Sequence, residues 1–442
     1  MEILLVAVIA LALFVTVLFA APRINVVRCL AVLVPAFALR LAVHITVTRV
    51  DAIGYGGDNL GYEAIARTIV QLWQQNGISF VTVDELSAVR VPLPCNLFAL
   101  IMYACGGSAP LACTAFVAFV ACATCIILYR TALALGAPDR MAFWLLTVSA
   151  FLPSFVLHTS DMYKDGFNAF LVIACVATAV CCAKRPGVAR LLPAVPLLWA
   201  LWYVRSYMVF LCIPPLLIGM FRPVKLVSMR AIACIAMTGT AAALLISEKG
   251  GDGVAGSLHA QLALAQSETV HQALLVGGSG VALDDDSIAS FALRLVYTVF
   301  APFPWESGTL ALQLGKIDAL IWYILAVLAT IGARRLWKRD RTSFWVLLAF
   351  IVPSVVAYSI SFANIGLVFR QRIPIVLAAS LFAPLARISR GSADFTPDPA
   401  AERGEGERTG ASLRLGICPT AAGRRASAGT SRAGTGSSLT RR

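Results

Sequence analysis

Long apolar runs recur along the whole chain, and they constrain its fold more than any other feature. The first two occupy residues 3–20 and 26–46. Because an α-helix rises about 1.5 Å per residue, about 20 apolar residues cross a hydrocarbon core roughly 30 Å thick. Only 13% of the 442 residues are charged, against about a quarter in soluble globular proteins, and the mean hydropathy is +0.82. The sequence therefore predicts an all-α polytopic membrane protein, and it excludes a soluble enzyme and an outer-membrane barrel.

The predicted membrane domain covers residues 1–387 and contains about eleven spans. After the two N-terminal runs, the predicted spans are 109–129, 141–157, 166–183, 191–203, 207–221, 231–246, 317–333, 344–361 and 373–386. Two further apolar pieces, at 96–105 and 291–303, are too short to cross the hydrocarbon core. We predict that both are interfacial or re-entrant helices on the external side.

Positive charge is concentrated in three short connectors, at 184–190, 222–230 and 334–341. By the positive-inside rule, connectors rich in Lys and Arg stay in the cytoplasm. This topology accounts for the net charge of +13, so we expect membrane lipid, and no nucleic acid, among the partners. The predicted location is the cytoplasmic (inner) membrane, which the chain crosses several times.

Two long polar loops, at about 48–108 and 247–316, then emerge on the external or periplasmic face. The final segment, 388–442, is rich in Gly, Ser, Ala and Arg and almost free of aromatic residues. Such a composition cannot bury a core, so we predict a disordered basic cytoplasmic tail.

The first external loop contains the spacing Gly57-Asp58-x-x-x-Tyr62-x-x-x-Ala66, preceded by Asp51. Asp58 lies where an interfacial helix would start, and Asp is a favoured N-cap residue. Taken alone, Asp58 is best explained as the cap of this helix.

A second group of charges, Asp161, Lys164 and Asp165, occupies a very short external connector between two apolar runs. Short loops are often polar, so a solvated connector is the simplest interpretation. The density of charge next to a membrane span also makes the three residues candidates for a binding site.

Three arginines, Arg205, Arg370 and Arg372, lie at predicted external ends of spans, against the positive-inside bias. The planar fork of a guanidinium suits the oxygen atoms of a phosphate, such as that of a lipid-linked substrate. The alternative is that these side chains extend to lipid headgroups.

Taken in order along the chain, these motifs resemble those of the GT-C superfamily of polytopic membrane glycosyltransferases. That superfamily includes protein mannosyltransferase-like and lipid A aminoarabinose transferase-like enzymes. The resemblance extends from about Asp51 to Pro374, and it also includes Leu152-Pro153 and Phe303-Pro304-Trp305-Glu306.

The resemblance implies a GT-C-like fold and an inverting transfer of a hexosyl or pentosyl unit in the cell envelope. The donor would be a polyprenyl-phosphate sugar, and the acceptor a glycan, a lipid or a protein at the external membrane face. The implied catalytic residue is Asp58, with Asp51 second. The implied substrate-binding residues are Tyr62, Asp161, Lys164, Asp165, Arg205, Arg370 and Arg372. A metal site stays unknown, and a divalent cation (Mg²⁺ or Mn²⁺) stays open as a cofactor.

Three other classes of protein remain as alternatives. One is an O-antigen polymerase or ligase-like enzyme, and another is a transporter or flippase of lipid-linked saccharides. Transporters place polar groups near the membrane midplane, whereas here only Arg40 and His44 lie within a run, near its external end. The third alternative is a noncatalytic membrane scaffold. Polar groups gathered at one surface favour an enzyme.

Overall fold

The computed structural model of the protein describes residues 1–22, 25–50, 57–185, 187–221, 288–306, 310–360 and 370–387. Over these residues the chain is all-helical, and they contain no β-strand. The predicted all-α class is therefore confirmed for the described part of the chain. The predicted span 231–246, the predicted tail 388–442 and most of the predicted loop 247–316 lie outside the described residues.

The helices, numbered in chain order, are α1 (Glu2–Ala20), α2 (Val26–Val43), α3 (Asp58–Asn76), α4 (Pro92–Cys105), α5 (Pro110–Ala134), α6 (Asp139–Ala150), α7 (Pro153–Leu157), α8 (Asp165–Lys184), α9 (Val188–Leu191), α10 (Ala194–Phe221), α11 (Ile288–Phe300), α12 (Leu310–Arg339), α13 (Arg341–Ile360) and α14 (Ile373–Ser380). A π-helical turn, His44–Thr48, continues α2, and a 3₁₀ turn, Ala383–Arg387, follows α14. Helix α8 lies at the centre, because it packs against α5, α10, α13 and α14.

Among the described residues, seven helical segments are long and apolar enough to cross a membrane. These segments are Glu2–Ala20, Val26–Thr48, Pro110–Ala134, Asp165–Lys184, Ala189–Phe221, Gly315–Arg339 and Arg341–Ser359. They support the prediction of a membrane protein. The count of about eleven spans and the GT-C-like fold stay predictions.

The predicted span 141–157 is not a single helix. Helix α6 ends at Ala150, Leu152 is extended (φ −62°, ψ 120°), and Pro153 begins α7 at a first-turn position. Proline has no N–H to donate and its ring clashes with the preceding helical turn, so it begins a new helix here. The break frees backbone groups, and Arg40 donates to the Ala150 carbonyl oxygen at 3.1 Å.

After the same break, a backbone N–H at the start of α7 is also hydrogen-bonded to a charged side chain. The Ser154 N–H donates to Asp318 Oδ1 at 2.9 Å. Arg40 and Asp318 are 0% and 1% exposed. Thus a cation from α2 lies at the carbonyl end of α6, and an anion from α12 lies at the amide end of α7, as the helix dipoles favour.

The predicted spans 191–203 and 207–221 are joined in one helical segment that bends at Arg205, whose backbone is non-helical (φ −154°, ψ 96°). Before this segment begins, Arg190 Nη1 donates at 2.5 Å to the carbonyl oxygen of Arg185, the residue that follows the C-terminus of α8. The guanidinium of Arg205 instead binds Asp165, at the N-terminus of α8. The segment before Arg205 therefore runs back along α8.

The segment after Arg205 runs along α8 in the same direction as α8. Gly219 lies so close to Ala179 that an added Cβ would be 2.4 Å from the Ala179 carbonyl oxygen. Small residues of this kind allow the backbones of membrane helices to approach each other. The contacts therefore indicate that the chain reverses at Arg205, close to the predicted boundary between two spans.

The two apolar pieces predicted not to cross the membrane form short helices. Helix α4 has 14 residues and α11 has 13, fewer than the roughly 20 that a span requires. Their lengths agree with the prediction, while an interfacial or re-entrant position stays a prediction.

The two ends of α8 carry different kinds of contact. The helix has 20 residues, so its ends are about 30 Å apart. At its C-terminal end, Lys184 Nζ is 2.6 Å from Asp340 Oδ2, in the connector between α12 and α13. Asp165 and its arginine partners lie at the opposite end. This separation agrees with the predicted topology, in which the basic connectors and the candidate site face opposite sides.

Candidate active site

Four charged residues from four separate segments meet at the N-terminal end of α8. Arg370 Nη1 donates to Asp58 Oδ2 at 2.5 Å, and Arg370 Nε donates to Asp165 Oδ2. Arg205 Nη2 donates to Asp165 Oδ1 at 2.9 Å. We call these four residues the charge network. The negative charges of its two carboxylates balance the positive charges of its two guanidiniums, and buried ion pairs require such a balance.

The two carboxylates of the charge network differ in exposure. The side chain of Asp165 is 3% exposed, and the side chain of Asp58 is 38% exposed. Asp165 also has two arginine partners, whereas Asp58 has one. The network therefore has a buried, doubly held carboxylate and a carboxylate that reaches solvent.

Helix termini place both carboxylates. Asp165 is the first residue of α8 and Asp58 the first residue of α3, where the helix dipole stabilises negative charge. The interpretation of Asp58 as an N-cap is wrong. The N-cap position is Gly57, no side chain caps the helix, and the Asp58 carboxylate binds Arg370 instead.

Lys164 lies beside the charge network without joining it. Its Nζ is 6.0 Å from the centre of the Tyr62 ring, and it pairs with no carboxylate of the described residues. Burial, together with the nearby charges of Arg205 and Arg370, lowers the pKa of Lys164 to about 8. Burial also raises the pKa of Tyr62, so its hydroxyl stays protonated.

Arg370 has one nitrogen atom to spare. Its Nη2 is buried and has no hydrogen-bond partner in the described part of the chain. Its guanidinium carbon lies 5.3 Å from the centre of the Tyr163 ring, which supports a cation–π contact. The predicted residues Asp58, Arg205 and Arg370 are thus brought together with Asp165, at a place where donor groups remain free.

His158 is part of this region, and sequence reasoning missed it. Its ring is buried 6.1 Å from the Tyr163 ring, and Nδ1 lies 2.7 Å from the Ser154 carbonyl oxygen. Burial and the charge of Arg370 lower the pKa of His158 to about 4. The imidazole is therefore neutral at physiological pH. Its link to the sequence motifs is the contact with Ser154, which follows Pro153 in α7.

Asp161 belongs to a separate buried cluster. Its Oδ2 accepts from Asn59 Nδ2 at 2.8 Å, and its Oδ1 accepts from the Met162 N–H at 2.8 Å. His44 Nδ1 and Arg49 Nη2 lie 3.5 Å and 3.4 Å from Oδ1. Burial opposes ionisation, but His44 and Arg49 outweigh it and hold the pKa of Asp161 below its usual value.

The cluster around Asp161 anchors the start of α3. Asn59 follows Asp58 directly in the chain, so its bond to Asp161 fixes the first turn that carries Asp58. Glu63, one turn later, pairs with Arg49 at 2.7 Å and with Arg67 at 2.5 Å. The acidic side chain of Glu63 also went unnoticed in the sequence, although it lies one residue after Tyr62 in the motif.

Arg372 lies apart from the charge network. Its Nη1 donates to the Ala301 carbonyl oxygen, and its Nη2 is 3.8 Å from Asp318 Oδ2. The Arg372 side chain is 2% exposed and that of Asp318 is 1% exposed. Arg372 therefore holds the turn after α11 against α12. Asp51 lies outside the described residues, so its relation to Asp58 stays a prediction.

A divalent cation stays open as a cofactor. Among the described residues, no group of three or more His, Cys, Asp or Glu side chains could hold a metal ion. The two carboxylates that come nearest to a shared site, Asp58 and Asp165, both already bind Arg370. Mg²⁺ and Mn²⁺ prefer several oxygen ligands, and here a guanidinium occupies the place between the carboxylates.

No protein-family model, curated protein or solved structure matches this chain. The resemblance to polytopic glycosyltransferases therefore depends on the motifs alone, and the geometry of the charge network is an independent observation.

Proposed function

We propose that this protein is a membrane glycosyltransferase that moves a sugar from a polyprenyl-phosphate donor to an acceptor hydroxyl. The observation that carries the proposal is the charge network. Four residues that the sequence identified as candidates, Asp58, Asp165, Arg205 and Arg370, meet in one place. Residues with purely separate roles as caps or headgroup contacts would have no reason to converge.

The donor phosphate would bind where cationic donors are free. Arg370 Nη2 has no partner, and Lys164 lies beside it without a carboxylate. With its pKa lowered to about 8, Lys164 still carries its charge at neutral pH. A guanidinium and an ammonium together would stabilise the phosphate as it becomes the leaving group.

Asp58 would act as the general base. Its carboxylate is the exposed one of the network, so an acceptor hydroxyl can reach it. In a single displacement, Asp58 takes the hydroxyl proton as the acceptor oxygen bonds to the anomeric carbon. The bond from that carbon to the phosphate oxygen breaks at the same time, and polyprenyl phosphate leaves with the electron pair. One displacement inverts the configuration at the anomeric carbon.

The proposed membrane location is the external face of the cytoplasmic membrane. The site lies at the end of α8 away from Lys184 and the basic connectors, which the positive-inside rule assigns to the cytoplasm. A lipid-linked phosphate lies at the membrane surface, which suits a site at the end of a span.

Transfer by membranes that contain the protein tests the proposal. Membranes would receive a panel of radiolabelled polyprenyl-phosphate sugars, and label reaching glycan, lipid or protein acceptors would be measured. We expect transfer that is lost in Asp58→Asn and kept in Asp84→Asn, which removes an exposed carboxylate that forms no ion pair with Arg370. No transfer from any donor, or full transfer by Asp58→Asn, would contradict the proposal.

One observation favours a second function, the transport of lipid-linked saccharides. Broken helices whose ends face charged groups are typical of transporters, and α6 and α7 meet Arg40 and Asp318 in this way. Arg40 and Asp318 each bind a backbone group of the break, which accounts for their position structurally. The same panel separates the two functions, because a transporter moves the donor across the membrane and leaves its sugar–phosphate bond intact.

A further inference from the structure

The structure as described holds the proposed base in an ion pair. Asp58 Oδ2 accepts from Arg370 Nη1 at 2.5 Å, so the carboxylate that would take the proton of the acceptor hydroxyl is already engaged. We propose that Asp58 is a displaceable ligand of Arg370, and that an anionic phosphate bound at Arg370 releases it. This inference rests on the proposed function, and it makes the base available only after the donor has bound.

The three nitrogen atoms of Arg370 explain why the phosphate and Asp58 compete. Nε donates to Asp165, Nη1 donates to Asp58, and Nη2 is free. A guanidinium holds a phosphate best with two parallel N–H groups. The edge formed by Nε and Nη2 is blocked by Asp165, so the remaining edge is formed by Nη1 and Nη2. A phosphate bound there shares the Nη1 nitrogen with Asp58, so the two anions compete for it.

The difference between the two carboxylates decides which one leaves. Asp165 is 3% exposed and is also held by Arg205 at 2.9 Å, so losing Arg370 would leave its charge buried. Asp58 has no second cationic partner in the described residues, and at 38% exposure its released charge reaches water. Exchange at Asp58 therefore costs little, whereas exchange at Asp165 does not.

Only the Asp58 side chain needs to move. Asn59 is bound to the buried Asp161, and Glu63 is held by Arg49 and Arg67. These contacts keep the first turn of α3 in place while the carboxylate rotates away from Arg370. The released base then stays next to the bound phosphate, where an acceptor must enter.

Labelling of carboxyl groups tests the release directly in the wild-type chain. The full-length protein in nanodiscs would be treated with a carbodiimide and glycine ethyl ester, with and without inorganic pyrophosphate, and labelling would be read by mass spectrometry. We expect pyrophosphate to raise labelling of Asp58 several-fold relative to the exposed Asp84. Labelling of Asp165 should stay low in both states. A second arm with dodecyl phosphate distinguishes a lipid-anchored phosphate from a free one.

Affinity provides a second measurement. Asp58→Asn removes the competing carboxylate, so pyrophosphate should bind roughly two- to tenfold more tightly than to Asp84→Asn, which removes a charge without a contact to Arg370. Binding with unchanged Asp58 labelling would overturn the release and leave the proposed function standing. If neither phosphate probe binds, both the release and the phosphate site of the proposed function are wrong.

Discussion

Arg370 and Asp165, which are 205 positions apart in the chain, form a buried ion pair at the N-terminal end of α8. Asp165 begins a helix at the centre of the fold, and Arg370 precedes the last described helix. The pair therefore joins the middle of the chain to its C-terminal helices. Because Arg205 binds the same carboxylate, the bend of α10 is fixed at the same point.

The first prediction compares the two carboxylates by stability. Asp165→Asn leaves the buried guanidinium of Arg205 without a charged partner and leaves Arg370 with Asp58 alone, so we expect a loss of about 3–5 kcal/mol in the free energy of unfolding. Asp58→Asn removes a partly exposed pair and should cost about 1 kcal/mol or less. Denaturation of the purified variants in nanodiscs measures both. Equal losses would mean that the two carboxylates are held alike.

The second prediction concerns activity at Asp58. Since Gly57 occupies the N-cap position, Asp58→Asn removes no cap. We expect the rate of sugar transfer to fall about 10²–10⁴-fold, the usual effect of losing a general base, while the melting temperature changes little. Asp84→Asn is the matched control. An active Asp58→Asn variant would remove Asp58 from the mechanism.

The third prediction is a pH dependence set by Lys164. Its pKa is lowered from 10.5 to about 8, so the ammonium loses its proton as the pH rises through 8. Binding of a phosphodiester, whose charge is constant in this range, should weaken between pH 7 and about pH 9. Lys164→Met should bind more weakly at pH 7 and lose most of this dependence. An unchanged profile in Lys164→Met would assign the titration to another group.

The lowered pKa of Lys164 also affects stability: as the pH rises, phosphate binding should weaken whereas the folded protein should become more stable. The folded protein disfavours the charged form of Lys164, so folding carries a penalty below pH 8 that decreases as the pH rises toward 10.5. Lys164→Met should therefore be more stable than the wild type at pH 7, and the difference should shrink in alkaline buffer. Thermal unfolding at both pH values measures it.

The fourth prediction concerns the close approach of α10 and α8. Gly219→Ala places a methyl group 2.4 Å from the Ala179 carbonyl oxygen, so backbone atoms must move apart. We expect a loss of about 1–3 kcal/mol, as for other overpacked sites. Gly187→Ala is a control, since nothing lies within 4 Å of its added Cβ. Similar stability of the two variants would contradict the packing described for α10.

The fifth prediction concerns topology. Single cysteines at Leu60 and Lys338, in a background without other reactive thiols, should react with a membrane-impermeant reagent from opposite sides. Leu60 is exposed near the charge network, and Lys338 lies at the end of α12 that faces the basic connectors. Labelling of both positions from one side would exclude the predicted orientation.

Several helices could be predicted from the sequence because the length of each apolar run gives the approximate length of its helix. The boundary near Arg205 was visible as a charge between aromatic residues. The break at Pro153 was missed because the residues on both sides of it are apolar, so the run looked continuous. Only the backbone at Leu152, together with the partners Arg40 and Asp318, identifies two helices.

The sequence predicted the four residues of the charge network as candidates, but it did not predict which of them form ion pairs with each other. The Gly-Asp-x-x-x-Tyr spacing identified Asp58 as a candidate, and charge next to apolar runs identified Asp165, Arg205 and Arg370. Which carboxylate meets which arginine depends on helix packing, since Asp58 and Arg370 are 312 positions apart. Asn59 and Asp318 escaped notice for the same reason, because their partners lie far away in the chain.

The interrupted path from α6 to α7 determines how disturbances elsewhere reach Asp165. A single continuous helix would hold Asp165 rigidly, but here α6 ends at Ala150 and a new helix, α7, begins at Pro153. The segment that leads into α8 is held from the side by two residues: Arg40 of α2 donates to the Thr159 hydroxyl, and Asp318 of α12 accepts from the Ser154 N–H. A lesion deep within either of those two helices would thus misalign the site without touching any of its residues.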